Sequence, residues 1–241
     1  MRSYKAKGVV LHTLRYGDSG LVVYMLTDVL GRQTYLVRGV RSRTGRGNRS
    51  ALFQPMFVVE FEGLESPKSQ MHRLKDLSSA LPLVSLPFDI RKSSISLFMA
   101  EVLYRLIRES EANSPLFDFV CASVAALDAM QQGVANFHLW FLVRLSALLG
   151  FAPGNEYAPG DWFDIQEGLF TPHAPVHGVA MNRDNARILS LLSDCGPDEL
   201  AALPLSRSGR VDFLNSVLVY VGYHLDAIHC VQSVRILSEV F

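Results

Sequence analysis

Between Lys5 and Leu77 the apolar residues come in five short runs: KGVVLHTL, GLVVYMLT, RQTYLVRGV, FQPMFVVEFE and QMHRLKDL. Turn formers separate them, notably Tyr16-Gly17-Asp18-Ser19-Gly20, Asp28 to Gly31, and Gly63 to Lys68. Runs this short and rich in Val, Leu, Tyr and Phe read as strands. Five strands within about 75 residues leave exposed edges unless the sheet curls, and closure into a small barrel removes them. Five is also the number of strands in an OB-fold.

After Asp76 the period changes. Ser94 to Ser110 places Ile95, Phe98, Met99, Val102, Leu103, Leu106 and Ile107 at helical spacing, with Glu101, Arg105, Arg108 and Glu109 on the other side. Two more helices follow, near Pro115 to Gln132 and Val134 to Leu149, the first with Ser114-Pro115 at its start and the second ending at Gly150. Further helices are expected over 183–193, 198–203, 209–228 and 231–239. Four prolines between Phe151 and Val179 (153, 159, 172 and 175) interrupt any regular pattern there, which predicts an irregular insertion at about 151–180. The expected fold class is therefore α+β in two domains: a five-stranded OB-fold barrel over 1–80 and a mainly helical domain over 81–241.

Charge is divided along the same line. Residues 1–80 hold 13 Lys or Arg against 6 Asp or Glu, and residues 81–241 hold 10 against 17, so a chain of zero net charge has a basic front and an acidic remainder. That asymmetry points to phosphate or an acidic partner for the first part, with a bland solvated surface as the alternative. Its densest basic stretch is RGVRSRTGRGNR, Arg38 to Arg49, with five arginines and no acid. Gly45, Gly47, Asn48, Ser42 and Thr44 add nothing to a core. Such a loop can spread its like charges and then converge on a polyanion. Tyrosines interleave with the cations, Tyr4 beside Lys5, Tyr16 beside Arg15 and Tyr35 between Arg32 and Arg38, as in grooves that hold single strands.

Enzymatic signals are weak. No Gly-x4-Gly-Lys-Ser/Thr loop and no Gly-x-Gly-x-x-Gly after a strand is present, which argues against ATP-driven chemistry. His173 and His177 have a spacing that could hold a metal, and His224, His229 and Cys230 lie near the end. Prolines around the first pair exclude a helical clamp, and no general base accompanies it. Asp161, Asp164 and Glu167 cluster around Trp162, but paired acids in a loop are common. Cys121, Cys195 and Cys230 are too few and too scattered for a disulfide scaffold. The first residues lack the apolar run of a signal peptide or membrane helix, so the expected compartment is the cytoplasm. We expect no cofactor, no metal and no catalysis.

The stretch YGDSGLVVYMLTDVLGRQTYLVRGVRSRTG, Tyr16 to Gly45, followed by ALFQPMFVVEFEG, Ala51 to Gly63, resembles the N-terminal signature of the bacterial recombination mediator family RecO. SPLFDFVCASVAAL, LSALLGFAP and the final HLDAIHCVQSVRILSEVF agree more loosely, so the resemblance runs through nearly the whole chain. It implies an OB-fold followed by a helical domain, binding of single- and double-stranded DNA, and strand annealing. It also implies contacts with RecR and with the acidic C-terminal tail of single-stranded DNA-binding protein, leading to RecA loading in recombinational repair, with a nucleoid-associated location. Carried over by position, Arg38, Arg41, Arg43, Arg46 and Arg49 are the DNA-contacting loop, and Lys5, Lys7 and Arg15 are weaker candidates. For the acidic tail, Arg105, Arg108 and Arg144 are the expected cations, because a carboxylate tail bearing an aromatic requires a cation beside an apolar cleft. Many family members have a four-cysteine zinc site after the LGFxP helix end. Here GNEYAPGDWFDIQEGLFTPHAPVHG has no cysteine, and Trp162, Phe163, Leu169 and Phe170 are expected to anchor the segment instead of metal. An RNA-binding or ribosome-associated OB module is the competing class, since charge alone does not distinguish the sugars; a metal-dependent nuclease is a distant third.

Overall fold

The structure is a computed structural model that describes residues 3–40, 49–65, 71–225, 228 and 231–241. Five strands, β1 (Ser3–Tyr16), β2 (Gly20–Thr27), β3 (Gly31–Val37), β4 (Val58–Leu64) and β5 (His72–Ser79), close into a barrel in the order β1-β2-β3-β5-β4. This is the expected OB-fold. β1 serves two neighbours, pairing with β4 over Ser3 to Val9 and with β2 over Gly8 to Tyr16. A register shift between Val10 and His12 bends it from one to the other. The barrel closes through a parallel contact of β3 with β5, Tyr35 opposite His72 and Leu36 opposite Arg73.

Alternate residues of each strand face inward, so Ala6, Val10, Leu21, Val23, Met25, Tyr35, Val59 and Phe61 form the barrel core. A polar thread runs through it from Tyr35 by way of Tyr4 to His72. The fully buried Tyr35 phenol lies 3.0 Å from the Tyr4 hydroxyl, which lies 2.6 Å from His72 Nδ1. Burial raises the Tyr35 pKa, and the bond to Tyr4 raises it further, so both phenols remain neutral partners.

The helix α1 (Ile90–Leu106) begins four residues before its apolar periodicity, because the Asp89 carboxylate accepts from Arg91 N and caps the first turn. Ile90 itself is exposed and so falls outside the apolar stripe. A single side chain joins β3 to the end of this helix. Arg32 donates to the carbonyls of Tyr104 and Ile107, both at 2.8 Å, while its guanidinium lies 4.5 Å from the Tyr104 ring centroid and 5.4 Å from that of Tyr24. It thereby satisfies carbonyls that a helix C-terminus leaves open. Gly31 is required beside it, with φ 59°, since a Cβ there would collide with the Glu111 carbonyl oxygen. α2 (Ser114–Ala129) follows, with Asn113 Oδ1 accepting from Leu116 N. Asn113, and not Ser114, therefore supplies the cap.

The chain divides into two compact units, Met1–Asp128 and Ala129–Phe241. α1 and most of α2 thus belong with the barrel, and the strand region itself ends at Ser79. The second unit contains α3 (Phe137–Leu148), α4 (Arg183–Asp194), α5 (Arg207–His224) and α6 (Ser233–Val240). α3 is buried on almost every side, with Arg144 as its exposed residue before the last turn.

The segment 151–180 is not irregular throughout, as its prolines suggest. It carries β6 (Trp162–Asp164) and β7 (Leu169–Thr171), joined by β8 (Ala180–Met181) into a three-stranded sheet of order β7-β6-β8. Phe163 and Phe170 face inward, their ring centroids 5.0 Å apart, and Phe163 meets Tyr220 of α5 at 5.1 Å. Leu169 is exposed and Trp162 half-buried, so two of the four expected anchors hold the segment; strand alternation turns the others outward. Asp164 ties the turn together. Its Oδ1 accepts from Gln166 N and Glu167 N, and its Oδ2 lies 3.0 Å from His177 Nε2. His177 Nδ1 accepts from Val179 N, which sets the tautomer with the proton on Nε2. Burial raises the Asp164 pKa, but the bonds from Glu167, His177 and Gln166 outweigh it and the net shift is downward.

Candidate nucleic-acid interface

The expected DNA-contacting cations fall into three groups. Arg41, Arg43 and Arg46, together with the Arg49 side chain, lie outside the described residues; the Arg49 backbone opens a short 3-10 turn, Arg49–Phe53. Arg15 and Arg38 stand at the barrel end formed by the β1–β2 hairpin and the close of β3. Lys5 and Lys7 stand elsewhere, on the outer flank of β1.

That flank is balanced by acids. Lys5 pairs across the ladder with Glu62, and Lys7 with Glu60. Both lysines line a cleft of about 490 Å³ with Asp28, Glu60, Glu62 and Asp76. Four carboxylates against two ammonium groups give a surface that does not favour phosphate.

The hairpin end differs. Its registers can be read across three strands: Leu14 opposes Val22, Val22 opposes Leu36, and Leu36 opposes Arg73. One step further, Tyr16 opposes Gly20, and the register of Leu21 with Val37 brings Arg38 opposite Gly20. Residues opposite one another share a face. The outer face here therefore carries Leu14, Tyr16, Arg38 and Arg73, all exposed, with Arg15 beside them at the tip. Among the described residues, none of these three guanidinium groups has a hydrogen bond or an ion pair. Their donors are available to an incoming anion.

Arg73 was not among the expected site residues, because nothing in the run QMHRLKDL tells which strand will lie beside it. Two tyrosines read as interleaved rings are otherwise engaged. Tyr35 is at the centre of the barrel core, and Tyr4 is held by Tyr35 and His72. Tyr16 is the one that reaches solvent, 52% exposed.

The three cations expected to hold an acidic tail are each placed differently. Arg105 is paired with Glu101 one turn earlier on α1, at 2.7 Å, and Arg108 is exposed just beyond the helix. Arg144 of α3 donates to the Ser193 carbonyl at 2.5 Å. It borders a cleft of about 560 Å³ with Pro153, Tyr157 and Phe170, where Glu156 and Asp194 also stand. Arg105 and Arg108 belong to the first unit and Arg144 to the second.

Among the described residues, no group of three or more His, Cys, Asp or Glu side chains is placed to hold a metal ion. Nor is any described helix long and apolar enough to cross a membrane.

A closed OB barrel with a basic hairpin end, continued by helices, defines the structural class. The family model for recombination protein O N terminal matches residues 1–81, and that for recombination protein O C terminal matches residues 87–229. The DNA repair protein RecO of Bacteroides fragilis is 37% identical over 239 residues, covering 98% of each chain. That of Phocaeicola vulgatus is 37% identical over 238 residues, and that of Flavobacterium psychrophilum 31% over 237, again covering 98% of each chain. The chain belongs to the RecO family, whose role is recombinational DNA repair.

Proposed function

We propose that this protein is a non-enzymatic DNA-binding mediator of recombinational repair in the cytoplasm, at the nucleoid. The arginine stretch beginning at Arg38, with Arg15 and Arg73 at the same barrel end, gathers the backbone phosphates of single- and double-stranded DNA. Lys5 and Lys7 contribute little. Contacts of this kind are mostly to phosphate, so sequence preference is slight. By holding two strands through their backbones the protein anneals complementary single strands. The helical parts dock RecR and the acidic tail of single-stranded DNA-binding protein, and the assembly loads RecA onto the coated strand.

The observation that carries this reading is the row of exposed arginines, unpaired among the described residues, at one end of an OB barrel in a chain of the RecO family. No bond need be made or broken; binding energy alone accounts for the task. Annealing of complementary labelled oligonucleotides, bare and coated with single-stranded DNA-binding protein, tests it directly, with matched RNA strands as the competitor. Acceleration of annealing and a preference for DNA are expected. Absence of DNA binding at low salt, or tighter binding of RNA, would overturn the reading in favour of an RNA-binding module.

A further inference from the structure

Four tyrosines of the first unit have their rings committed. Tyr4 lies across Gly63 with its hydroxyl held by Tyr35 and His72, Tyr35 is buried, and Tyr24 packs on Tyr104 under Arg32. The Tyr16 side chain has neither a ring contact nor a hydrogen bond among the described residues. Its position is nevertheless fixed. It closes the β1–β2 ladder opposite Gly20, and a Cβ added at Gly20 would lie 3.6 Å from Tyr16 Cδ1, 2.7 Å from its carbonyl oxygen and 3.4 Å from the carbonyl of Val37. The ring edge therefore stands over a strand position that has no side chain, and the next position across the sheet is Arg38. The same face continues into Leu14, 45% exposed, and Arg73.

The geometry points to a base-stacking slot: we propose that the exposed face of Tyr16, whose ring edge packs over the buried Gly20, receives one unpaired base of a single-stranded nucleic acid on the side of Arg38. The base stacks on the phenol ring while Arg38 and Arg73 take the phosphates on either side. An exposed aromatic ring and an arginine on neighbouring strands, with a glycine between them, match the alternation of flat apolar base and anionic phosphate along a single strand. Asp18, in the hairpin turn between Tyr16 and Gly20, keeps it from being a general anion trap. In a duplex the bases are already stacked and paired, so the ring has nothing to take; only the arginines still act. The slot rests on the DNA-binding reading and adds to it a preference for unpaired strands.

The test compares wild type, Tyr16→Ala and Tyr16→Trp by fluorescence anisotropy with a labelled single-stranded oligonucleotide and with its duplex. Tyr16→Ala should weaken single-strand binding roughly tenfold and leave duplex binding within about twofold. Tyr16→Trp should retain binding, and its added emission over wild type should be quenched by the single strand and not by the duplex. Equal losses on both substrates, no loss on either, or an unquenched Trp at saturating single strand would overturn the slot while the wild-type titration leaves the DNA-binding reading standing. Wild type that binds neither substrate would overturn both.

Discussion

Arg15, Arg38 and Arg73 at the barrel end and Arg144, Arg207 and Arg210 in the second compact unit are the same chemical group in opposite circumstances. The first three are exposed and unbonded among the described residues. The second three are turned onto their own backbone: Arg144 to Ser193, Arg207 to Ser238, and Arg210 to Leu205 at 2.6 Å and Phe241 at 3.1 Å. A guanidinium whose donors are spent on backbone carbonyls holds elements together; one that makes no such bonds is available to a ligand. Count of charge does not separate the two roles, as the Lys5 and Lys7 flank, outnumbered by acids, also shows. The contrast can be broken by substitutions that should move DNA affinity without stability on one side, and stability without DNA affinity on the other.

The largest effect is expected on the stability side, at His138. It is fully buried, stacked on Phe241, and its pKa is lowered from 6.5 to about 3 by burial and secondarily by Arg210. A histidine held neutral in the fold stabilises it above the unfolded pKa, and that contribution is lost as pH falls toward the folded value. Chemical denaturation should therefore show roughly 3 kcal/mol of stability disappearing between pH 6.5 and about 4, and His138→Gln should flatten that part of the profile.

Next in size, Arg41, Arg43, Arg46 and Arg49 changed together to Ala should weaken single-strand binding by about two orders of magnitude at low salt. The slope of log affinity against log salt should flatten by roughly 0.7 to 1 for each lost phosphate contact, at unchanged melting temperature. Arg210→Ala should do the reverse. Losing its hydrogen bonds to Leu205, just before α5, and to Phe241, at the end of α6, should cost about 2 kcal/mol and leave the oligonucleotide titration where it was. The smallest effect is reserved for Lys5→Ala with Lys7→Ala, where affinity should change by less than about twofold despite the loss of two positive charges. A tenfold loss there would show that the acids do not neutralise the flank.

The fold was largely legible because turn formers punctuate the strands and the helical period begins sharply after Asp76. The parallel closure of β3 on β5 was not, since it depends on which strands meet in space. In RQTYLVRGV the consecutive Tyr35, Leu36 and Val37 put apolar side chains on both faces, so periodicity alone does not tell an inward ring from an outward one, and Tyr35, read as a ring interleaved with cations, is in fact core. The sheet within 151–180 escaped because its strands are two or three residues long, too short to display alternation. Arg38 and Arg15 were visible as basic residues near turns; Arg73 became a candidate only when the register set it beside Leu36.

The most direct measurement is a salt series of single-stranded oligonucleotide binding by anisotropy, comparing wild type with the variant carrying Arg38→Ala and Arg73→Ala. The expected result is a loss of tenfold or more, with the salt slope flatter by about 1.4 for two single-strand phosphate contacts, in a protein that melts at the wild-type temperature. Affinity and slope both equal to wild type would contradict the account and move the DNA contacts away from this end of the barrel.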